Sequence, residues 1–214
     1  MSDLTFRERP AAARPAGILL LHHGRGSDEL DLLSLADVLD PNRRLHVVAP
    51  RGPLQLDGWP GYHWYRAARV DHPDPTTFHT AYRQLAELHD ELWRERGLDS
   101  TRTIIGGFSL GAVMSYALGL GADRPAPAGI LALSGFIPTV ERWQPSFLGR
   151  ERASVFITHG RNDPIIDMSF ARAADELLRD SPLSVKYHES DAAHHVEPES
   201  VQLATEWIED VLDG

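Results

Sequence analysis

The residues whose types and spacing point most directly to chemistry are Gly107-Phe108-Ser109-Leu110-Gly111. They form a G-x-S-x-G pattern. The apolar run Thr103-Ile104-Ile105-Gly106 precedes it and predicts a strand. Val113, Met114, Ala117 and Leu118 follow at helical spacing. A serine in this context predicts a sharp strand-to-helix turn that lifts its hydroxyl out at the carboxyl end of a sheet. Glycines are needed at 107 and 111 because side chains there would collide with the neighbouring strand and helix. The alternative is an ordinary glycine-rich turn, and the strand–turn–helix context favours the nucleophile.

A serine hydroxyl is a weak nucleophile and needs a base. The chain has eleven histidines. In such a turn the acid and then the histidine follow the serine in sequence. This leaves His159, His188, His194 and His195. The first two belong to strand ends, whereas His194-His195 falls between the last strand and the last helix, where a base is expected. An acid must orient the imidazole, and Asp163, Asp167 and Asp191 compete for that role. Asp167 reads as a helix N-cap and Asp191 as a loop residue. Backbone N–H groups must hold the developing oxyanion. Leu110 offers one, and the glycine-rich His22-His23-Gly24-Arg25-Gly26 offers a second.

The elements that must position these residues alternate. Strands are predicted at 18–22, 45–49, 103–108, 129–133, 155–158 and 183–188. Helices are predicted at 27–39, with Ser27 or Asp28 as N-cap, from Asp74-Pro75 to Gly97, after Ser109, around 170–178 and over 198–212. Alternating strands and helices imply a mostly parallel sheet covered on both faces. No proline-rich linker divides the chain, so residues 1–214 read as one domain. Residues 51–73 form a long loop rich in Gly, Pro, Trp and Tyr, which suggests function.

Composition excludes several classes. At 42% hydrophobic and 24% charged, the chain can bury a core and is not disordered. No cysteine is present, so disulfides, thiolate metal sites and a cysteine nucleophile are ruled out. Lys186 is the only lysine, which removes nearly every Schiff-base candidate. A net charge of −10 argues against nucleic acid and anionic membrane surfaces. No apolar run approaches the roughly 20 residues of a membrane span, and no signal-peptide pattern is visible. A cytoplasmic location is therefore expected. The histidines show no helical metal-ligand spacing, and His194-His195 are adjacent, so no metal is expected.

Together these segments resemble the phospholipase/carboxylesterase family of α/β-hydrolases, which includes relatives of the acyl-protein thioesterases. The resemblance rests on Leu21–Gly26, Ala49–Pro53, Gly106–Gly111, Leu133–Pro138, His159–Pro164 and His194–Glu199, in that order. It implies an α/β-hydrolase fold with minimal or no cap domain, and a Ser109, His194, Asp163 triad acting without a cofactor. It selects His194 over His195 and Asp163 over its competitors. It also implies oxyanion donors at the N–H groups of Arg25 and Leu110. Leu110 replaces a common glutamine, Ala193 a common glycine and Asp167 a common proline, and Gly58–Arg69 is a local variant.

The resemblance implies a small ester, thioester or lysophospholipid substrate. Only about 50 residues separate Ser109 from Asp163, which leaves little room for a large helical cap, so short to medium acyl chains are expected. Trp59, Trp64, Tyr65, Phe136 and Ile165 are the candidate pocket residues, and Arg66 and Arg69 could attract an anionic group. A noncatalytic hydrolase-fold binding protein is the alternative class, and such proteins usually lack a triad member. A homodimer is left open.

Overall fold

Alternation along the strands divides the core in two. Ile18 and Leu20 point to one side of the sheet with Ile105, Ile130 and Val155. Leu19 and Leu21 point to the other with Val47, Ile104, Leu131 and Phe156. Successive side chains of a strand face opposite ways, so strands that are apolar throughout require cover on both faces.

The computed structural model describes residues 3–214. Its main sheet has seven strands: β1 (Phe6–Arg9), β2 (Gly17–His22), β3 (Leu45–Pro50), β4 (Thr103–Phe108), β5 (Gly129–Leu133), β6 (Ser154–Gly160) and β7 (Ser184–Ser190). The order is β1-β3-β2-β4-β5-β6-β7. All neighbours are parallel except β1, which pairs antiparallel with β3. Helices α1 (Ala36–Leu39) and α5 (Pro198–Asp213) cover one face. Helices α2 (Pro75–Arg96), α3 (Leu110–Leu120) and α4 (Met168–Arg179) cover the other.

Local signals explain the helix ends. Asp74 caps α2 by accepting from the Thr77 amide, and Pro75 follows at the first helical position. Gly97 ends α2 in the left-handed region at φ +62°. Asp167 caps α4 through the Ser169 amide.

Two expectations are corrected. The helix predicted over 27–39 begins only at Leu32, as a 3₁₀ turn over Leu32–Leu35 that leads into α1. Ser27 is taken up by a β-bridge to Tyr62, and the Asp28 carboxylate folds back on the Leu30 amide at 2.9 Å. The edge strand β1 was not anticipated, because Phe6-Arg7-Glu8-Arg9 carries no apolar alternation. It is anchored by Arg9, whose Nη2 lies 2.6 Å from the buried Asp40 carboxylate. Residues 51–73 also gain structure, as two short hairpins pairing Leu54–Gln55 with Tyr62–His63 and Ala67–Arg69 with His72–Pro73.

Candidate active site

Five strand ends converge on one cleft. β4 ends at Phe108 and the chain turns at once into α3. Ser109 carries the turn with φ +55° and ψ −121°, a conformation that costs a non-glycine residue about 1–3 kcal/mol. The turn is held by the Ser109 amide, which donates to the Leu133 carbonyl of β5 at 2.9 Å. A methyl group on Gly111 would overlap the carbonyls of His22 and His23, and one on Gly107 would overlap the backbone of Gly111. Both glycines are therefore dictated by close backbone approach.

The loop after β7 brings His194 to this serine. Ser109 Oγ and His194 Nε2 are 2.9 Å apart, and His194 Nδ1 is 2.6 Å from Asp163 Oδ2. A carboxylate can only accept, so Nδ1 carries the proton and Nε2 is free to accept from the serine hydroxyl. The other Asp163 oxygen accepts from the amides of Ile165 and Ile166 at 2.8 and 2.9 Å. Burial pushes the Asp163 pKa up, but the His194 hydrogen bond and the two amides outweigh it and hold the carboxyl below its ordinary value. This arrangement can draw the hydroxyl proton toward His194 as the serine oxygen attacks, while the carboxylate stabilises the imidazolium.

The other candidates lie elsewhere. His195 is exposed. His188 is within β7. Asp191 pairs with Arg161 at 2.7 Å. His159 is buried behind the acid, with Nε2 donating to the Ile166 carbonyl at 2.8 Å and lying 3.3 Å from Asp163 Oδ2.

The cleft encloses about 850 Å³. Ser109, His194, Arg25 and Leu110 share its wall with Tyr65, Phe136 and Ile165. Leu110 is the first residue of α3, and such an amide has no partner within its helix.

The family model for phospholipase/carboxylesterase matches residues 8–212. The chain belongs to the phospholipase/carboxylesterase family. This family member is 30% identical over 233 residues to acyl-protein thioesterase 1 of Debaryomyces hansenii, covering 99% of each chain. The Bacillus cereus carboxylesterase structure superposes with a TM-score of 0.86 at 26% identity, covering 98% of this chain and 95% of that one. Esterase PE8 gives 0.85 at 27% identity, covering 97% and 99%. The sheet, its helices and these neighbours are those of the α/β-hydrolase fold, and the chain is a carboxylesterase-type hydrolase.

Within this phospholipase/carboxylesterase member, two expected pocket residues take another position. Trp64 is fully buried and its Nε1 donates to the His23 carbonyl at 2.8 Å. Trp59 lies outside the cleft lining, and its Nε1 donates to the Gly26 carbonyl at 3.0 Å. An indole N–H needs an acceptor, and both find one on the 22–26 turn. Both fasten the 51–73 segment to that turn; Trp64 is sealed away from solvent, whereas Trp59 stays largely exposed. Arg66 and Arg69 do line the cleft, and Arg69 is paired with Asp71 at 3.2 Å.

Sequence reasoning missed His63, which also lines the cleft, and its pKa is lowered by burial and by Arg25 and Arg66. No motif marks it, because only the folded hairpin brings it there. Among the described residues, no group of three or more His, Asp or Glu side chains is placed to share a metal ion. None of the described helices is long and apolar enough to cross a membrane.

Proposed function

We propose that this chain hydrolyses carboxylic esters through an acyl-enzyme on Ser109. The observation that carries the reading is the continuous hydrogen-bonded line from Ser109 Oγ through His194 to Asp163, at 2.9 and 2.6 Å. Ser109 attacks the acyl carbon and His194 takes its proton. Asp163 stabilises the imidazolium, and the amides of Arg25 and Leu110 receive the oxyanion. His194 then protonates the leaving group and activates water for deacylation. This sequence is complete without a metal or cofactor, so activity is expected to survive chelation.

Phe136, Ile165 and Tyr65 offer an apolar wall for a short to medium acyl chain. A thioester is the second reading, favoured by the likeness to an acyl-protein thioesterase. Oxygen esters and thioesters pass through the same tetrahedral intermediate, so matched acyl esters and thioesters over a chain-length series separate them. The test of the shared chemistry is Ser109→Ala together with a fluorophosphonate probe. Wild type should label once per chain and turn over esters, and the variant should do neither. Unchanged turnover in a pure Ser109→Ala sample would end the reading.

A further inference from the structure

An oxyanion amide is useful only if it holds one direction. Arg25 sits in a turn with its side chain exposed, and nothing in residue 25 fixes its N–H. The histidine two residues earlier has the means. His23 is 1% exposed. Its Nε2 lies 2.9 Å from the amide nitrogen of Gly52, which can only donate. Nε2 is therefore the bare nitrogen and Nδ1 carries the proton. Nδ1 donates in turn to the Gly24 carbonyl at 2.7 Å. Burial lowers the His23 pKa against the opposing pull of the Gly24 carbonyl and of Asp31, which fits a neutral ring with one donor and one acceptor. The His23 main chain is clamped as well, since its carbonyl takes the Trp64 indole N–H.

The Gly24 carbonyl and the Arg25 N–H belong to the same planar group. In a trans peptide they point in opposite directions, and no cis peptide occurs among the described residues. Turning the carbonyl toward the buried His23 ring therefore turns the N–H away from it. Gly24 also abuts the nucleophile. A methyl group on it would lie 3.1 Å from the Phe108 ring and 3.5 Å from Ser109 Cβ.

We propose that His23 is a positioning residue whose Nδ1–H bond to the Gly24 carbonyl locks the Gly24–Arg25 peptide with its N–H toward the Ser109 side of the cleft. The Gly52 amide selects the tautomer that makes this possible. The use of that N–H rests on the esterase reading above, whereas the orientation of the peptide does not.

Three variants of the full chain separate this role from simple packing. His23→Leu removes both ring hydrogen bonds. His23→Gln can reach the Gly52 amide but places no donor at the δ position. His23→Asn keeps an N–H at the δ position and loses Gly52. Crystal structures of the variants should show the Gly24–Arg25 peptide rotated in the Leu and Gln variants and retained in the Asn variant. With a p-nitrophenyl ester, kcat should fall roughly 10²-fold for Leu and Gln. KM should stay within about twofold, the pattern of an interaction made only in the transition state. Asn should recover most of the lost kcat. A packing role would instead order the variants by their loss of Tm, with no advantage for Asn. An unrotated peptide in the Leu variant, or a Gln variant as active as Asn, would overturn the proposal. If His23→Leu does not fold, the Gln and Asn pair decides alone. If wild type hydrolyses no ester, the esterase reading falls, while the crystal structures still decide whether His23 sets the peptide.

Discussion

Ser109 holds a backbone conformation that few side chains adopt, and its φ of +55° is stabilised from both sides of the turn. Its amide bonds to Leu133, and its carbonyl accepts from the Val113 amide at 3.2 Å. The strain places Oγ where His194 can reach it. Asp163 is the residue on which the His194 tautomer depends. In an Asp163→Asn variant the amide group can offer a donor to Nδ1, which moves the ring proton to Nε2 and leaves the serine without an acceptor. The fold should persist while kcat falls roughly 10⁴-fold. Unchanged near-UV circular dichroism beside steady-state rates would verify both halves. A fall of less than tenfold would mean that a group other than the Asp163 carboxylate orients the imidazole.

At the scale of elements, the junction between β4 and α3 tolerates little change. Gly111→Ala would press a methyl group onto the His22 and His23 carbonyls of β2 and the turn after it. Backbone atoms cannot swing aside as a flexible side chain can. A loss of about 1–3 kcal/mol or more is expected, measured by urea unfolding, together with loss of esterase activity. A variant as stable as wild type would mean that β2 and α3 can separate.

The packing of α2 on β2 gives a second prediction. His89 of α2 stacks on His22 at 5.7 Å with the rings 2° from parallel, and both are buried. Neither His89 nitrogen has a partner among the described protein groups. Burial lowers the His22 pKa to about 3 and sets His89 well below its ordinary value. In the unfolded chain both titrate near 6.5. As pH falls below about 6.5 the unfolded state binds protons that the folded state refuses, so stability is lost on acidification until the folded-state values are reached. His89→Leu removes one such proton. Between pH 7 and pH 5 the variant should lose roughly 1–2 kcal/mol less unfolding free energy than wild type. Parallel losses would show that His89 is protonated in the fold.

For the whole molecule, the parallel sheet gathers the ends of β2, β4, β5, β6 and β7 at one edge, where folds of this kind bind ligands. The 51–73 segment contributes Gln55, Leu56, Asp57, His63 and residues 65–70 to the cleft wall and roofs that edge. It is tied down by the bidentate pair of Arg51 with the buried Glu29, both contacts at 2.6 Å, and by Trp59 and Trp64. Among the described residues this roof is built of short hairpins without a helix, so there is no helical lid in it to displace. Esterase activity should therefore rise smoothly with substrate concentration through the critical micelle concentration. An abrupt increase at that point would show that the roof opens on an interface.

Much of this was legible in the chain before folding, because it depends on neighbours in sequence. The G-x-S-x-G turn, the Asp74-Pro75 start of α2, its Gly97 end and the Asp167 cap are local constraints of sterics and hydrogen bonding, and each stands where the residues predict. The predominantly apolar runs of β2 to β6 likewise require a sheet covered on both faces. Between adjacent His194 and His195, local spacing leaves the choice open and the family resemblance selects His194; the path of the loop after β7 supplies the physical reason, turning that ring to Ser109 and leaving His195 in solvent. Trp59 and Trp64 read as pocket aromatics until tertiary contacts supply their indoles with carbonyl acceptors on a distant turn. The failed helix start at Ser27 has the same origin, since a bridge to Tyr62 outweighs local helix propensity. His23 lies in a segment whose sequence points to an oxyanion-donor turn but gives the histidine side chain no role. Its orienting contact to Gly24 is local, but the amide that selects its tautomer comes from Gly52, and that pairing exists only once β2 and β3 lie side by side.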